Sequence, residues 1–279
     1  MTSRTSRLLL FALAASVPLL LVVLPIGNFF VMSFWRVSDN VIVPDATLAN
    51  YAGFLENDAY WRTFLFTIGL CAAVAGIGIA IGYPVSYFIW RLRGRIKYLL
   101  LLLLILPLFM SYIVKIYTMR SILGLNGFLN KFLVFTGILD QPSTLFLYNR
   151  TAILITMATI LLPFVILPIF LTLERIPKSL TQASADLGAG AGTTFWRVVL
   201  PLSLPGTAAG ALFTFVLALG DYITPQMVGG PNGFTFGRVI WSQFGLAYNW
   251  PFGAALAVIM FLFALAVIGL AAFMAARQR

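Results

Sequence analysis

The stretch Gln182–Gly206, QASADLGAGAGTTFWRVVLPLSLPG, lies mostly within a polar connection, Glu174–Ser203, between two long apolar runs. It has its own helical pattern. Leu180, Ala183 and Leu187 fall at i, i+3 and i+7, while Gln182 and Asp186 sit one turn apart on the polar side, as an amphipathic surface helix requires. Gly188 is placed to end that helix. Thr193 or Thr194 can cap a second short helix through Phe195, Trp196 and Arg197, and Pro201 and Pro205 are expected to redirect the chain after it. Two helices at an elbow are therefore expected, not a slack linker. A stiff short helix can carry force, and the small residues Ala183, Gly188 and Ala189 permit close approach of another surface.

Outward from the elbow, charge-free stretches run Leu8–Trp35, Thr63–Trp90, Tyr98–Val114, Thr151–Leu173, Val198–Gly220 and Asn249–Ala276. Each is near or above the roughly 20 residues that span a bilayer. The expectation is an all-α integral membrane protein of six transmembrane helices. Residues 1–62 would form an amino-terminal helix and outer segment, 63–276 a five-helix core that includes loop 174–203, and 277–279 a short tail. Arg4 and Arg7 before the first run imitate the charge order of a signal peptide. That run is longer than a signal core of about 7–15 residues, so an uncleaved helix is expected. Pro18, Pro25, Pro84, Pro107, Pro163 and Pro168 lie inside the runs, where neighbouring helices can satisfy freed backbone groups; kinks are expected, not breaks.

With 61% hydrophobic and 9% charged residues, a water-soluble surface is excluded. The net charge of +10 follows topology. With the amino terminus inside, the inner segments carry about +9 and the outer ones about +1, so both termini are expected in the cytoplasm. Basic residues punctuate the apolar runs and form no nucleic-acid stripe. The cluster Arg91–Lys97, RLRGRIK, reads as a positive-inside turn, with a lipid-headgroup site as the alternative. Cys71 stands alone in an apolar run and histidine is absent, which removes disulfides, thiol metal sites, the commonest general base and most nucleophilic triads. No catalytic residue and no metal site is expected.

The elbow resembles the cytoplasmic EAA loop of ABC importer permeases. Its pieces are Gln182-Ala183-Ser184, Gly188-Ala189 and Val198-Val199-Leu200-Pro201, with Gln182 in place of the family's glutamate and Ser184 in place of its second alanine. The resemblance implies a type I importer permease fold in a bacterial inner membrane. It also implies a coupling surface at Gln182, Ala183, Ser184, Asp186, Gly188, Ala189, Arg197, Leu200 and Pro201. In the family this loop docks on two ATPase subunits, which bind ATP and Mg, so no cofactor is expected in this chain. A second permease, expected to differ from this one, an extracytoplasmic binding protein and surrounding lipid complete the implied partners. The substitution at Gln182 puts in doubt any salt bridge that a glutamate would make.

The outer segment Thr47–Tyr51 with Tyr60–Arg62 resembles the one that leads into the core of such permeases, while Leu106–Asn130, LPLFMSYIVKIYTMRSILGLNGFLN, and Leu219–Leu256 are similar to the spermidine/putrescine branch. A polyamine wants carboxylates and aromatic faces. Tyr112, Tyr117, Asp221 and Tyr222 are the candidate pathway residues. Asp221 either faces the pathway, begins the outer loop in water, or caps a following turn. Lys115 either snorkels to the interface, pairs with an acid, or marks a pathway for an anionic or zwitterionic solute. The run Gly229–Gly233 lacks the Gly-Lys-Ser/Thr ending of a nucleotide loop and reads as a re-entrant or turn structure at the outer gate. A self-sufficient secondary transporter or channel fits the hydropathy equally well. An intramembrane enzyme lacks its paired acids or serine and base.

Overall fold

The computed structural model describes residues 11, 13–14, 16–231 and 233–277. In chain order, α1 covers Ser16–Met32 and is followed by two strands, β1 (Arg36–Ser38) and β2 (Val41–Val43). Next come α2 (Ala49–Glu56), α3 (Asp58–Arg91), α4 (Arg95–Ile105), α5 (Tyr112–Leu123) and α6 (Phe128–Phe135). The chain continues through α7 (Arg150–Glu174), α8 (Lys178–Asp186) and α9 (Ala191–Leu219), then α10 (Ile223–Val228), α11 (Phe236–Gly245) and α12 (Trp250–Arg277).

Four of these, α3, α7, α9 and α12, are long and apolar enough to cross a membrane. They take up the expected runs that begin at Thr63, Thr151, Val198 and Asn249. Asparagines start two of them. The Asn149 side chain accepts from Ala152 N at 2.8 Å, and that of Asn249 from Phe252 N at 3.2 Å. The first expected run begins outside the described residues, as do Arg4 and Arg7, and its described part is the shorter apolar helix α1.

The expected span Tyr98–Val114 is not one helix. After α4 the chain makes a tight turn over Leu106–Phe109, becomes extended at Met110, and restarts at Tyr112 at an angle of 104°. Pro107 thus accompanies a break, whereas Pro84, Pro163 and Pro168 ride inside continuous helices. Burial of the proline does not separate them, since Pro163 is buried but Pro84 is exposed inside α3. What marks Pro107 is the tight turn around it and the extended Met110 that follows, on an exposed flank of Leu106, Phe109 and Met110.

The chain divides into two compact units. One comprises the described residues of Met1–Arg62 together with Val239–Ala266. In it β1 and β2 pair antiparallel with Val37 opposite Ile42, around Asp39 and Asn40, both at positive φ as a tight two-residue hairpin demands. The Asn50 amide donates to the carbonyls of Ser33 and Trp35 at 2.9 and 2.7 Å, and Ser33 shares a hydrogen bond with Tyr51 at 2.6 Å. The end of α1 is thus tied to α2. Edge-on rings, Phe30 with Phe261 and Phe29 with Phe244, add to this unit's packing.

The other unit holds Thr63–Arg238 with Val267–Arg279, and α7 is its centre. Two glycine pairs pack against α7, three of the four glycines at Val165. A Cβ on Gly78 or Gly82 of α3 would lie 2.9 or 3.1 Å from Val165 methyl carbons, and one on Gly210 of α9 would lie 3.0 Å from the Val165 carbonyl oxygen. Gly206 is tighter still, at 2.2 Å from Thr172 Oγ1. Both pairs are Gly-x-x-x-Gly, the spacing that lets membrane helices touch along their backbones. Ser86 Oγ adds a hydrogen bond to the Ile166 carbonyl at 3.0 Å, and Tyr83 one to Ser203 at 2.7 Å.

Candidate functional site: the elbow and a buried polar cluster

Helix α8 ends in a Schellman motif. Gly188 N donates to Ala185 O at 2.9 Å and Ala189 N to Ser184 O at 3.0 Å, which requires Gly188 at φ +80°. The expected stop at Gly188 is therefore where the helix closes. The second arm differs from expectation. It begins at Gly190 without a side-chain cap, so neither Thr193 nor Thr194 caps it. Nor do Pro201 and Pro205 turn the chain. α9 runs unbroken to Leu219, with a π turn over Phe195–Val199 directly before Pro201, whose missing N–H would otherwise interrupt the ladder.

Thr194 has another task. Its hydroxyl lies 2.9 Å from that of Ser184, joining the two arms of the elbow. The serine that departs from the family's alanine is thus a brace. Gln182, Ala183, Asp186, Gly188 and Arg197 are exposed and Ala189 is half-buried. Pro201 is exposed, whereas Leu200 packs on the cluster of Tyr83, Val165, Ile169, Leu173, Ile176 and Val199. The apolar side chains of Leu180, Leu187 and Trp196 face outward, Leu187 at 88% exposure.

Two features of the elbow's mounting escaped the sequence reading. Phe195 sits edge-on to Tyr83 and Tyr87, with centroids 5.9 and 5.2 Å apart, so the bend of the second arm is wedged against α3. Lys97, read as one charge in a basic turn, is buried, ion-pairs with Glu174 and lies 5.3 Å from the Phe170 ring centre. It locks α4 to the end of α7 immediately before the elbow. The sequence signal available was Glu174, an acid directly abutting an apolar run.

The pathway candidates divide. Tyr112 donates to Asp221 Oδ2 at 2.5 Å and lies 3.0 Å from Thr224 Oγ1, while Asp221 Oδ1 accepts from Ile223 N and Thr224 N, each at 3.0 Å. The carboxylate therefore caps α10 and also faces a cavity of about 300 Å³ lined by Tyr112, Lys115, Phe164, Leu217, Asp221 and Tyr222 among others. Tyr117, half exposed on α5, is not among its walls. Lys115 Nζ lies 5.4 Å from the Tyr112 ring centre and, among the described residues, has no carboxylate at ion-pair distance. The glycine run beyond α10 is a packed turn. Gly230 has φ +61°, and a Cβ there would lie 2.7 Å from the Tyr148 carbonyl oxygen, while Asn232 lies outside the described residues.

Helices of membrane-spanning length, packed through paired glycines and with a braced helical elbow between α7 and α9, define an integral membrane protein. Residues 72–279 match the family described as binding-protein-dependent transport system inner membrane component, and the chain belongs to it. It is a permease subunit of a binding-protein-dependent ABC importer. It is 34% identical over 212 residues to the spermidine/putrescine transport system permease protein PotB of Escherichia coli K12, covering 76% of each chain. With the inner membrane ABC transporter permease protein YdcU of the same organism it shares 39% identity over 230 residues, 78% of this chain and 72% of the relative. Two solved structures share the fold. A bacterial ABC transporter that imports alginate gives a TM-score of 0.79 at 15% identity, over 98% of this chain and 96% of that one. The methionine transporter MetNI gives 0.58 at 15%, over 76% and 93%.

Proposed function

We propose that the chain forms one half of the transmembrane pathway of an ATP-driven importer of polyamines such as putrescine and spermidine, or of a related small organic solute. The observation that carries the substrate class is the 34% identity, across three quarters of both chains, to a spermidine/putrescine permease. In this reading the elbow and both termini face the cytoplasm of a bacterial cell. The second permease is a different chain, and an extracytoplasmic binding protein delivers the cargo. Residues 1–62 add a helix and outer segment to the core at 63–276, and 277–279 form the tail.

The exposed Leu180, Leu187 and Trp196 supply the apolar face on which an ATPase subunit docks; two such subunits serve the permease pair and hold ATP and Mg. The coupling residues then divide by task. Gln182, Ala183, Asp186, Ala189 and Arg197 offer contact surface, Gly188 shapes the turn, Ser184 braces it, and Leu200 and Pro201 pass motion into α9. Closure of the ATPases pushes α8, the Ser184–Thr194 bond carries the push across the elbow, and Phe195 transmits it to Tyr83 and Tyr87. Access thereby turns outward.

At the other cluster, Tyr112, Asp221 and Tyr222 line the pathway, and an ammonium group reaches Asp221 by displacing the Tyr112 hydroxyl; Tyr117 acts, if in the pathway, from a separate surface. Lys115 on the same cavity, with no carboxylate at ion-pair distance among the described residues, favours a second reading, an anionic or zwitterionic solute. The test is ATPase stimulation of the full complex by its cognate binding protein loaded in turn with putrescine, spermidine and non-polyamine solutes. Stimulation by polyamines is expected. A response confined to the other solutes sinks the polyamine assignment and leaves the importer class intact.

A further inference from the structure

The elbow overhangs a cavity of about 650 Å³ whose charge is almost all of one sign. Arg91, Arg93, Lys97 and Lys178 contribute to its wall, and Glu174 is its only acid among the described residues. That acid is already engaged by the buried Lys97. Arg91, Arg93 and Lys178 are left without a carboxylate at ion-pair distance among the described residues. Neutral donors stand beside them. Thr181, Gln182 and Thr194 belong to the same wall, so Lys178, Thr181 and Gln182 present one face of α8 inward.

An ordinary basic turn is convex and solvated; this one is concave, and the helices that supply it carry exposed apolar side chains close in sequence to its cations. Phe88 lies three residues before Arg91 on α3, and Ile96 and Tyr98 flank Lys97 on α4; they are 59%, 48% and 70% exposed. Tyr87 and Trp90 are both half-buried and both in the cavity wall. A basic cavity walled partly by amphipathic rings, on helices that also expose apolar side chains, matches one class of molecule: an anionic phosphate headgroup on acyl chains.

We propose that this cavity binds a phosphate group, supplied by an anionic phospholipid, with Arg91, Arg93 and Lys178 on the phosphate oxygens and the acyl chains along Phe88, Ile96 and Tyr98. Charge-assisted contacts to phosphate are the strong kind, and arginine's planar fork suits them. Because Gln182 and Thr194 share the wall, the occupant touches both arms of the elbow and makes coupling sensitive to lipid composition. The proposal rests on the reading that the elbow lies at the cytoplasmic face, where a headgroup can reach it.

The full complex is placed in nanodiscs of phosphatidylcholine with or without phosphatidylglycerol, and retained lipid is counted by native mass spectrometry. Preferential retention of phosphatidylglycerol is expected. Each of Arg91→Gln, Arg93→Gln and Lys178→Gln should weaken it about fivefold. Displacement of the lipid by inorganic phosphate would keep the site and assign it to free phosphate. Equal retention of the two lipids, or full retention of phosphatidylglycerol by the triple variant, overturns the proposal. So does a triple variant that loses its ATPase subunits but keeps the lipid, since the cavity is then a protein contact. All three side chains are in exposed residues, and the single variants guard against misfolding of the triple one. Nanodiscs expose both faces, so failure here leaves the orientation untouched. Orientation is read separately, by labelling Ser179→Cys with an impermeant maleimide in sealed vesicles.

Discussion

Replacing Gly206 by alanine should loosen the helix pair on which the elbow is mounted. The new Cβ would fall 2.2 Å from Thr172 Oγ1, 2.5 Å from the Pro168 carbonyl oxygen and 2.6 Å from Thr172 Cβ. Two of those atoms do not move with any rotamer of Thr172, so α9 must withdraw from α7. The required shift is about 1 Å, a gap that forfeits roughly a quarter to a half of each dispersion contact along the seam. Overpacking of this kind costs about 1–3 kcal/mol, and alanine's better helix propensity offsets about 1 kcal/mol of it. The control is Gly76→Ala, where nothing lies within 4 Å of the added carbon and only the propensity gain remains. The difference between the two variants isolates the packing cost, about 1–3 kcal/mol. Thermal unfolding of the assembled complex in one detergent reads it. Coincident midpoints for the two variants, or a higher one for Gly206→Ala, would refute close helix contact at this glycine.

Three further outcomes are expected. Gly188→Asp adds a carboxylate into open space at φ +80°, a conformation aspartate tolerates better than most residues; membrane insertion should survive while binding-protein-stimulated ATP hydrolysis and uptake in proteoliposomes fall together, and normal stimulation and uptake would count against docking at the elbow. Lys97→Met removes the lock between α4 and α7. Because Glu174 is half exposed and water takes over its solvation, the loss should be nearer about 1 kcal/mol than the 3–5 of a fully buried pair, read as a lowered unfolding midpoint. Tyr112→Phe strips one donor from Asp221 and should destabilise by about 1–3 kcal/mol; if Asp221 receives an ammonium group, the same change should tighten polyamine transport by removing the competitor, and an unchanged half-saturation concentration would argue that Asp221 is only a cap.

The span-forming helices were legible wherever hydrophobicity alone makes them, as at Thr63–Trp90 and Thr151–Leu173, because a bilayer rewards a long apolar run whatever it packs against. The membrane class and the stop at Gly188 followed from local signals, whereas the importer family came from the resemblance of the elbow to a known loop. What stayed hidden depends on partners distant in sequence. Pro107, Pro84 and Pro163 look alike in the chain, yet the first accompanies a break and the other two ride through continuous helices. Lys97 reads as a surface charge until Glu174 and Phe170 are placed around it. Asp221 left two readings open because its fate turns on Tyr112, 109 positions away.

The paired glycines were a signal within reach, since Gly78-x-x-x-Gly82 and Gly206-x-x-x-Gly210 both sit in apolar runs. Their importance comes from convergence. Gly78 and Gly82 close on the Val165 side chain, Gly210 on the Val165 backbone and Gly206 on Pro168 and Thr172, so a shift of α3 or α9 meets the same helix, α7. Where helices touch at backbone distance, small residues leave no flexible side chains to absorb displacement. The elbow's own fixings obey the same logic: Phe195 bears on α3, Leu200 on the Val165 cluster, and Ser184 is braced to Thr194. A displacement imposed on α8 therefore has short, stiff routes into α9 and α3, and through Val165 into α7. In the coupling role proposed for the elbow, that stiffness would matter more than any single contact residue.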